Sequence, residues 1–498
     1  MDYGLEARIG YFVTDNASNN DTAVDAVLRH FYTSMSPKQR TARRLRCLGH
    51  VINLAAKAFI YGKDFDAFEK DVENVRENSE LLKELDVWRK RGPVGKLHNV
   101  IVFICRSPQR RQKFADTKGF STDEKTNFDH LNLVVDNATR WNSLFLMIDR
   151  ALKLKDRIDS FCVDHADALH GALKDVPAEE RAQRLLSKDI LKKEDWEALL
   201  EVKAILTKFW ELSVRAEGTK IQGDRGVLSD YMTTLNDLLN HVRLYRDDLN
   251  VRADDTELST PAIQHLRTCI VNCWCKLDEY FAIVDQTPAL YASIVTTPHM
   301  KWLYFEHTWK HAHTWKDAKK PKTWLPNGKK SLYSLWDEYR SIELSPGELQ
   351  ICGKKRARSQ SLDPFELITD MTLIQPNEDE IDELDTWISS KCFRLEDGDT
   401  LPKFWARRRR VKATARLAQM GLDMVSIPAM SSECERVFSQ AKLLITGQRH
   451  ALKPDVIEAT QCLRMWLIID RKKLGKWVGK GNWTEHSTPS HLSAEGDD

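Results

Sequence analysis

The chain opens on a short apolar, β-branched and aromatic run, Ile9 to Thr14 (IGYFVT), that stops at Asp15-Asn16. That pattern predicts a buried strand. Directly afterwards, Asp21 to Ser34 places Val24, Val27, Leu28 and Phe31 at helical spacing with polar residues opposite. A strand ending in Asp, followed by a helix packed back on the sheet, is an α/β beginning. Helical spacing returns over His50 to Tyr61, over the charged stretch Lys63 to Arg91, and through Val94, Leu97, Ile101 and Ile104. Leu131 to Val135 (LNLVV) is the second predicted strand; it runs through DNATRW into a helix over Ser143 to Lys155. From about 151 to 345 the pattern is helical, rich in Trp and charge, with no strand signal. Residues 346–379 read as a linker carrying a basic run. A compact helical module follows over 380–476, and 477–498 is a polar tail expected to be disordered.

Composition narrows the class. Of 498 residues, 42% are hydrophobic and 30% charged, which is ample material for a core. No run of 18 apolar residues occurs, so a membrane-spanning helix is not expected. The first residues, MDYGLEARIGYFVTDN, do not read as a secretory signal. Ten cysteines without framework spacing are expected to be reduced, intracellular thiols. The net charge of +2 announces no nucleic-acid partner, but basic runs occur at Arg40 to Arg46, Lys354 to Arg358 and Arg407 to Lys412. Each is either phosphate-contacting surface, an import signal or a solvated helix face.

Four places carry candidate chemistry. Asp15 ends an apolar strand, where an α/β sheet gathers its ligands and where a carboxylate suits Mg²⁺. Asp15, Asn16 and the residues after them equally read as a turn and helix cap, the commoner use of these residue types. Cys47 and His50 have the spacing of half a metal site, but a closed zinc site needs four ligands and no partner pair is visible. Cys269, Cys273 and Cys275 share one apolar helix and read as core thiols. Arg140-Trp141 at a strand exit could contact phosphate and stack a displaced base, or Trp141 could simply close the core. Glu435 lies in SSECERVFS, where Ser432 and Glu435 also match a capping box.

Taken together and in order, these segments resemble the hAT transposases. GYFVTDNASNND is similar to the family's second catalytic aspartate, RCLGHVINL to its CxxH segment, and GPVGKLHNVIVFICRSPQR to a recurring helix. DNATRWNS resembles the exit of the fifth strand, and VSIPAMSSECERVFSQAKLLITGQR the helix of the third acidic residue. The matches span roughly residues 9 to 470.

The resemblance implies an α/β RNase H-like core with its first strands missing, interrupted by a large all-helical insertion, and a chain predominantly helical overall. It divides the chain into a partial core over 1–150, the insertion over 151–345, the linker, and a C-terminal dimerisation region over 380–476 that includes the last catalytic helix. Asp15 and Glu435 are the implied catalytic and metal-binding residues, with Cys434 standing where the pattern has serine. Cys47, His50, Arg140 and Trp141 are implied to contact DNA, and Trp405, Leu463 and Trp466 to form the dimer. Mg²⁺ or Mn²⁺ is the implied cofactor, with no zinc site. Only 14 residues precede Asp15, too few for the strand that bears the first aspartate, so the metal is expected to bind poorly and strand cleavage to be lost. The expected partners are transposon-end DNA and a second copy of the chain, with no membrane and no small-molecule substrate. The expected location is the nucleus.

Overall fold

The computed structural model describes residues 9–62, 65–77, 81–118, 130–136, 141–172, 188–217, 226–255, 261–309, 324–343, 382–444 and 453–478. They fall into two compact units, Met1–Ser431 and Ser432–Asp498.

The first unit begins as its pattern predicts. Strand β1 (Phe12–Thr14) pairs in parallel with β2 (Arg44–Arg46), Val13 opposite Leu45. Between them run α1 (Ser18–Phe31), which buries Val24 and Leu28, and α2 (Pro37–Ala42). Ser36 opens α2 with a reciprocal capping box: its Oγ accepts from the Gln39 amide, and the Gln39 side chain accepts from the Ser36 amide. These are the only strands among the described residues.

Helix α3 (Leu48–Tyr61) is apolar nearly all round and buries most of its residues, the mark of a helix enclosed by others. It ends at Gly62, whose φ of 85° suits glycine. The helices α4 (Phe65–Glu77), α5 (Leu81–Arg89), α6 (Gly92–Cys105), α7 (Pro108–Asp116), α8 (Trp141–Lys153) and α9 (Lys155–Ala172) follow. Three long helices come next: α10 (Lys193–Glu217), α11 (Ser229–Asp254) and α12 (Pro261–Ala282). Both α10 and α12 pack on α3, and α11 packs on α12. Cys269 and Cys273 are buried on α12, as their apolar spacing predicts, and burial pushes the Cys269 thiol up to about 11.

The predicted strand at Leu131–Val135 does not form. The segment is irregular and pairs with no strand. Its carbonyls are bound by helix arginines instead: Arg150 of α8 donates to the Asn132 carbonyl at 2.6 Å, and Arg157 of α9 to the Leu131 carbonyl at 3.4 Å. Leu131 and Leu133 still pack on the core. The apolar run therefore marks a segment packed on the core, not a strand in a hydrogen-bonded ladder.

The unit closes with α13 (Pro288–Val295), α14 (Leu303–Trp309), α15 (Trp324–Arg340), α16 (Glu383–Ser389), α17 (Leu401–Arg408) and α18 (Ala415–Ser426). Trp405 of α17, implied to lie at a dimer interface, is fully buried instead. Its indole N–H donates to the Thr296 carbonyl at 3.1 Å, and Trp387 and Phe404 meet its ring at 5.1 and 4.9 Å. Gly421 of α18 makes room for it, since a Cβ there would stand 2.5 Å from the indole. Leu401 and Phe404 are buried beside it, so this apolar face is already covered within the unit.

The second unit holds α19 (Ser432–Leu444) and α20 (Pro454–Val478), which pack together. Pro454 sits at the first turn of α20, where its missing N–H costs nothing. No helix among the described residues is long and apolar enough to cross a membrane.

Candidate functional site

The C-terminal ends of β1 and β2 gather the polar groups that the sequence pointed to. The Cys47 amide donates to the Thr14 carbonyl at 2.8 Å, which fixes the two strand exits side by side. Asp15 is exposed there. Its Oδ1 accepts from the Ala17 amide at 3.0 Å and from Asn20 Nδ2 at 2.6 Å, an Asx-type turn that launches α1. Arg44 Nη2 donates to the Asp15 carbonyl at 2.7 Å, and Arg44 Nε lies 2.7 Å from Asp21 Oδ1. Burial, and then the neighbouring Arg46, lower the Arg44 pKa from its ordinary value. Asn16 accepts from Arg46 Nη1 at 3.3 Å and donates to the Tyr280 hydroxyl of α12. Arg44, Arg46, Tyr231, Tyr280 and Asp21 help line an adjoining recess of about 50 Å³, room for a small polar group.

This arrangement does not fit a divalent cation. Mg²⁺ requires several oxygen ligands in near-octahedral array and dehydrates reluctantly. Here one carboxylate oxygen of Asp15 is already held by two donors, and the nearby Asp21 is ion-paired with an arginine. Among the described residues no three His, Cys, Asp or Glu side chains converge as metal ligands.

Cys47 and His50 begin α3, with Cys47 at the N-cap position. The Cys47 thiol is buried and accepts from the Ser431 amide at 3.4 Å. The Leu48 amide donates to the Ala429 carbonyl, and the Ala429 amide to the Gly226 carbonyl. Residues 427–431 are thereby clasped between the start of α3 and the Gly226–Val227 turn, where Val227 bridges Pro428. Gly49 permits the approach: a Cβ there would lie 3.2 Å from Met430 Sδ. The CxxH segment thus seats a chain crossing. Ser431 and Met430, which the sequence reading passed over, are its other half; the small Gly49 between Cys47 and His50 was the available signal.

Trp141 starts α8 and is only 3% exposed, edge-on to Phe209 at 6.1 Å. A base needs an open ring face, so in this conformation Trp141 is a core residue rather than a stacking platform. Arg140 lies outside the described residues. Nearby, a pair missed from the sequence is buried: His98 Nδ1 meets Asp136 Oδ1 at 2.5 Å, and Trp88 stacks on the imidazole at 3.6 Å. A histidine at position 98 of the largely apolar α6 was its only trace.

In the second unit, Glu435 is exposed on α19. Along α20, Val456, Leu463, Trp466 and Leu467 are 44–62% exposed, and Phe438 on α19 reaches 72%. Leu463 and Trp466 therefore stand where a partner could cover them.

Two family models match the chain. The ZBED1 RNase-like helical domain matches residues 45–188, and the hAT family C-terminal dimerisation region matches residues 383–467. Among curated proteins, the chain is 24% identical over 470 residues to tpeD of Talaromyces stipitatus, named as a transcriptional regulator; the match covers 92% of this chain and 46% of tpeD. It is 22% identical over 337 residues to the zinc finger BED domain-containing protein DAYSLEEPER of Arabidopsis thaliana, covering 68% of this chain and 41% of that protein. The chain spans less than half the length of either relative. Both matched segments, and the alignment with tpeD over most of the chain, make it similar to hAT-derived proteins.

Proposed function

We propose that this chain is a DNA-associated, self-associating nuclear regulator descended from a hAT transposase, and that it does not cut or join DNA. The observation that carries the reading is the dimerisation region, whose last matched stretch presents Leu463, Trp466 and Leu467 to solvent. The names of tpeD and of the Arabidopsis BED zinc finger protein support a nuclear, regulatory role. In this reading the β1–α1–α2–β2 piece is part of an RNase H-like sheet, its parallel pairing and strand-end Asp15 being the supporting features.

Asp15 and Glu435 hold the family's second and third acidic positions in this reading. Two-metal phosphoryl transfer needs both ions held together, one to activate the attacking group and one to steady the leaving oxygen. With Asp15 engaged in a turn beside Arg44, Mg²⁺ or Mn²⁺ binds poorly. Phosphate contacts from Arg and Lys need no metal and survive its loss.

The test pairs two assays on the full chain: duplex-DNA binding in EDTA or Mg²⁺, and strand cleavage with Mg²⁺ or Mn²⁺ on a matching transposon end. Binding indifferent to EDTA, with no cleavage product, is expected. Metal-dependent cleavage that Asp15→Ala or Glu435→Ala abolishes would instead identify an active transposase.

A further inference from the structure

We propose that the recess beside the ends of β1 and β2 is a binding site for a phosphate oxyanion, carried either by a DNA backbone or by a free phosphate ion. The groups that make this corner a poor cation site favour the opposite charge. Among the described residues lining the recess, the guanidiniums of Arg44 and Arg46 face one carboxylate, that of Asp21. Asp21 lies 2.7 Å from Arg44 Nε and 3.8 Å from Arg46 Nη2, so one negative charge is shared between two positive ones. After burial, Arg46 is the strongest influence on the Arg44 pKa, ahead of Asp21, and both burial and Arg46 lower it. Two cations are thus held against each other, and an incoming anion would relieve their repulsion.

Neutral donors complete the lining. Arg46 Nη1 donates to Asn16 Oδ1 at 3.3 Å, which turns the Asn16 amide group so that its Nδ2 donates to the Tyr280 hydroxyl. Tyr280 lines the recess and, having accepted that bond, keeps its own O–H as a donor. Tyr231 of α11 lies close enough to Tyr280 and Arg46 to feel their charges. Burial raises the pKa of both phenols, so both stay protonated at neutral pH. Thr287, just past α12, brings a third hydroxyl.

These donors reach the recess from β2, α11 and the end of α12. Approach from several sides suits a tetrahedral oxyanion better than a planar carboxylate, and paired guanidiniums suit phosphate. The volume of about 50 Å³ admits a phosphate group but no base or sugar. The Arg46 and Asp21 side chains are 29% and 50% exposed, which leaves the recess a mouth to solvent.

The experiment titrates sodium phosphate into the full chain by calorimetry and thermal unfolding, at ionic strength held constant with sodium chloride. A saturable rise in the unfolding midpoint is expected, since a ligand of the folded state stabilises it, with no such rise from sodium acetate. Tyr280→Phe keeps the ring and removes one donor to a charged ligand, so it is expected to weaken phosphate binding about tenfold. Asp21→Asn removes the competing carboxylate and is expected to tighten it about tenfold. Lys193→Gln, at a side chain 85% exposed, is expected to change nothing. Circular dichroism confirms that each variant folds. Binding of a 25-base-pair duplex separates the two sources: Tyr280→Phe weakens it in step if the recess holds a backbone phosphate, and leaves it unchanged if the ligand is the free ion. No saturable effect of phosphate, an equal effect of acetate, or phosphate binding untouched by both Tyr280→Phe and Asp21→Asn overturns the site. Phosphate binding by a chain that holds no duplex would sink the DNA association proposed above and leave this site standing.

Discussion

Aspartates at helix starts serve two ends in this molecule, and their neighbours decide which. Asp15 accepts from Ala17 and Asn20 in a solvent-exposed turn. Asp382 does more: its Oδ1 caps α16 through the Leu384 and Asp385 amides, while Oδ2 takes the Trp336 indole N–H and Arg340. Burial raises the Asp382 pKa, but the bonds from Trp336, the Asp385 amide and Arg340 outweigh it, and the net shift is downward. A carboxylate depressed in the folded state adds stability above its unfolded pKa and loses it as pH falls through the folded value. Asp382→Ala is therefore expected to cost about 1–2 kcal/mol at neutral pH, the scale of a lost N-cap. The gap to the unaltered protein should close as pH drops below about 4. Urea titrations at pH 7 and pH 3 read this; a cost that holds constant across that range would show the cap to be independent of charge.

Among the elements, periodicity served best where a single face decides the outcome. The strand at Ile9–Thr14 was expected from its apolar run, and the helix after it from Val24 and Leu28; both are present, the strand shortened to Phe12–Thr14. LNLVV misled because an apolar run reports packing on the core, whereas a strand needs a partner; here Arg150 and Arg157 take the carbonyls. A guanidinium arriving from another helix leaves no local mark in the sequence. The candidate site was legible to a similar depth. Asp15 does fall at a strand end and Cys47 at a helix start, but the clasp from Ala429 and Ser431 comes from nearly 400 residues away. The resemblance assigned Trp405 to the dimer for a like reason: a dimerisation motif does not say which of its apolar residues are covered within the same chain. Gly421 settles the matter physically, and Gly421→Ala tests it. The added methyl would meet the indole at 2.5 Å, so overpacking is expected to cost about 1–3 kcal/mol, measured as a lower midpoint of thermal or urea unfolding. An unchanged midpoint would mean that Trp405 is free to move and is not a fixed part of the core.

For the whole molecule, burial separates two sets of apolar residues that look alike in sequence. Trp405, Leu401 and Phe404 lie within the matched dimerisation region but are spent on the core. Leu463, Trp466 and Leu467 lie in the same region and remain 56–62% exposed. Solvent-facing Trp and Leu clustered on one helix are the composition of an interface centre, where few residues carry most of the binding energy. The two sets should therefore respond in opposite ways to substitution. Trp405→Ala removes a buried indole and is expected to cost about 3–5 kcal/mol of folding stability. Leu463→Ser/Trp466→Ser removes groups already in water, so the folding midpoint of the isolated chain should move by less than about 0.5 kcal/mol. Its effect should fall on association instead: the unaltered chain sediments as a dimer or larger at micromolar concentration, and the double variant as a monomer. Because a C₂ contact repeats each residue across the interface, one double substitution removes four side chains per dimer, which makes a partial effect hard to mistake for none. A double variant that stays dimeric would place the contact elsewhere in residues 383–467, and an unaltered chain that runs as a monomer would remove self-association from the proposed function.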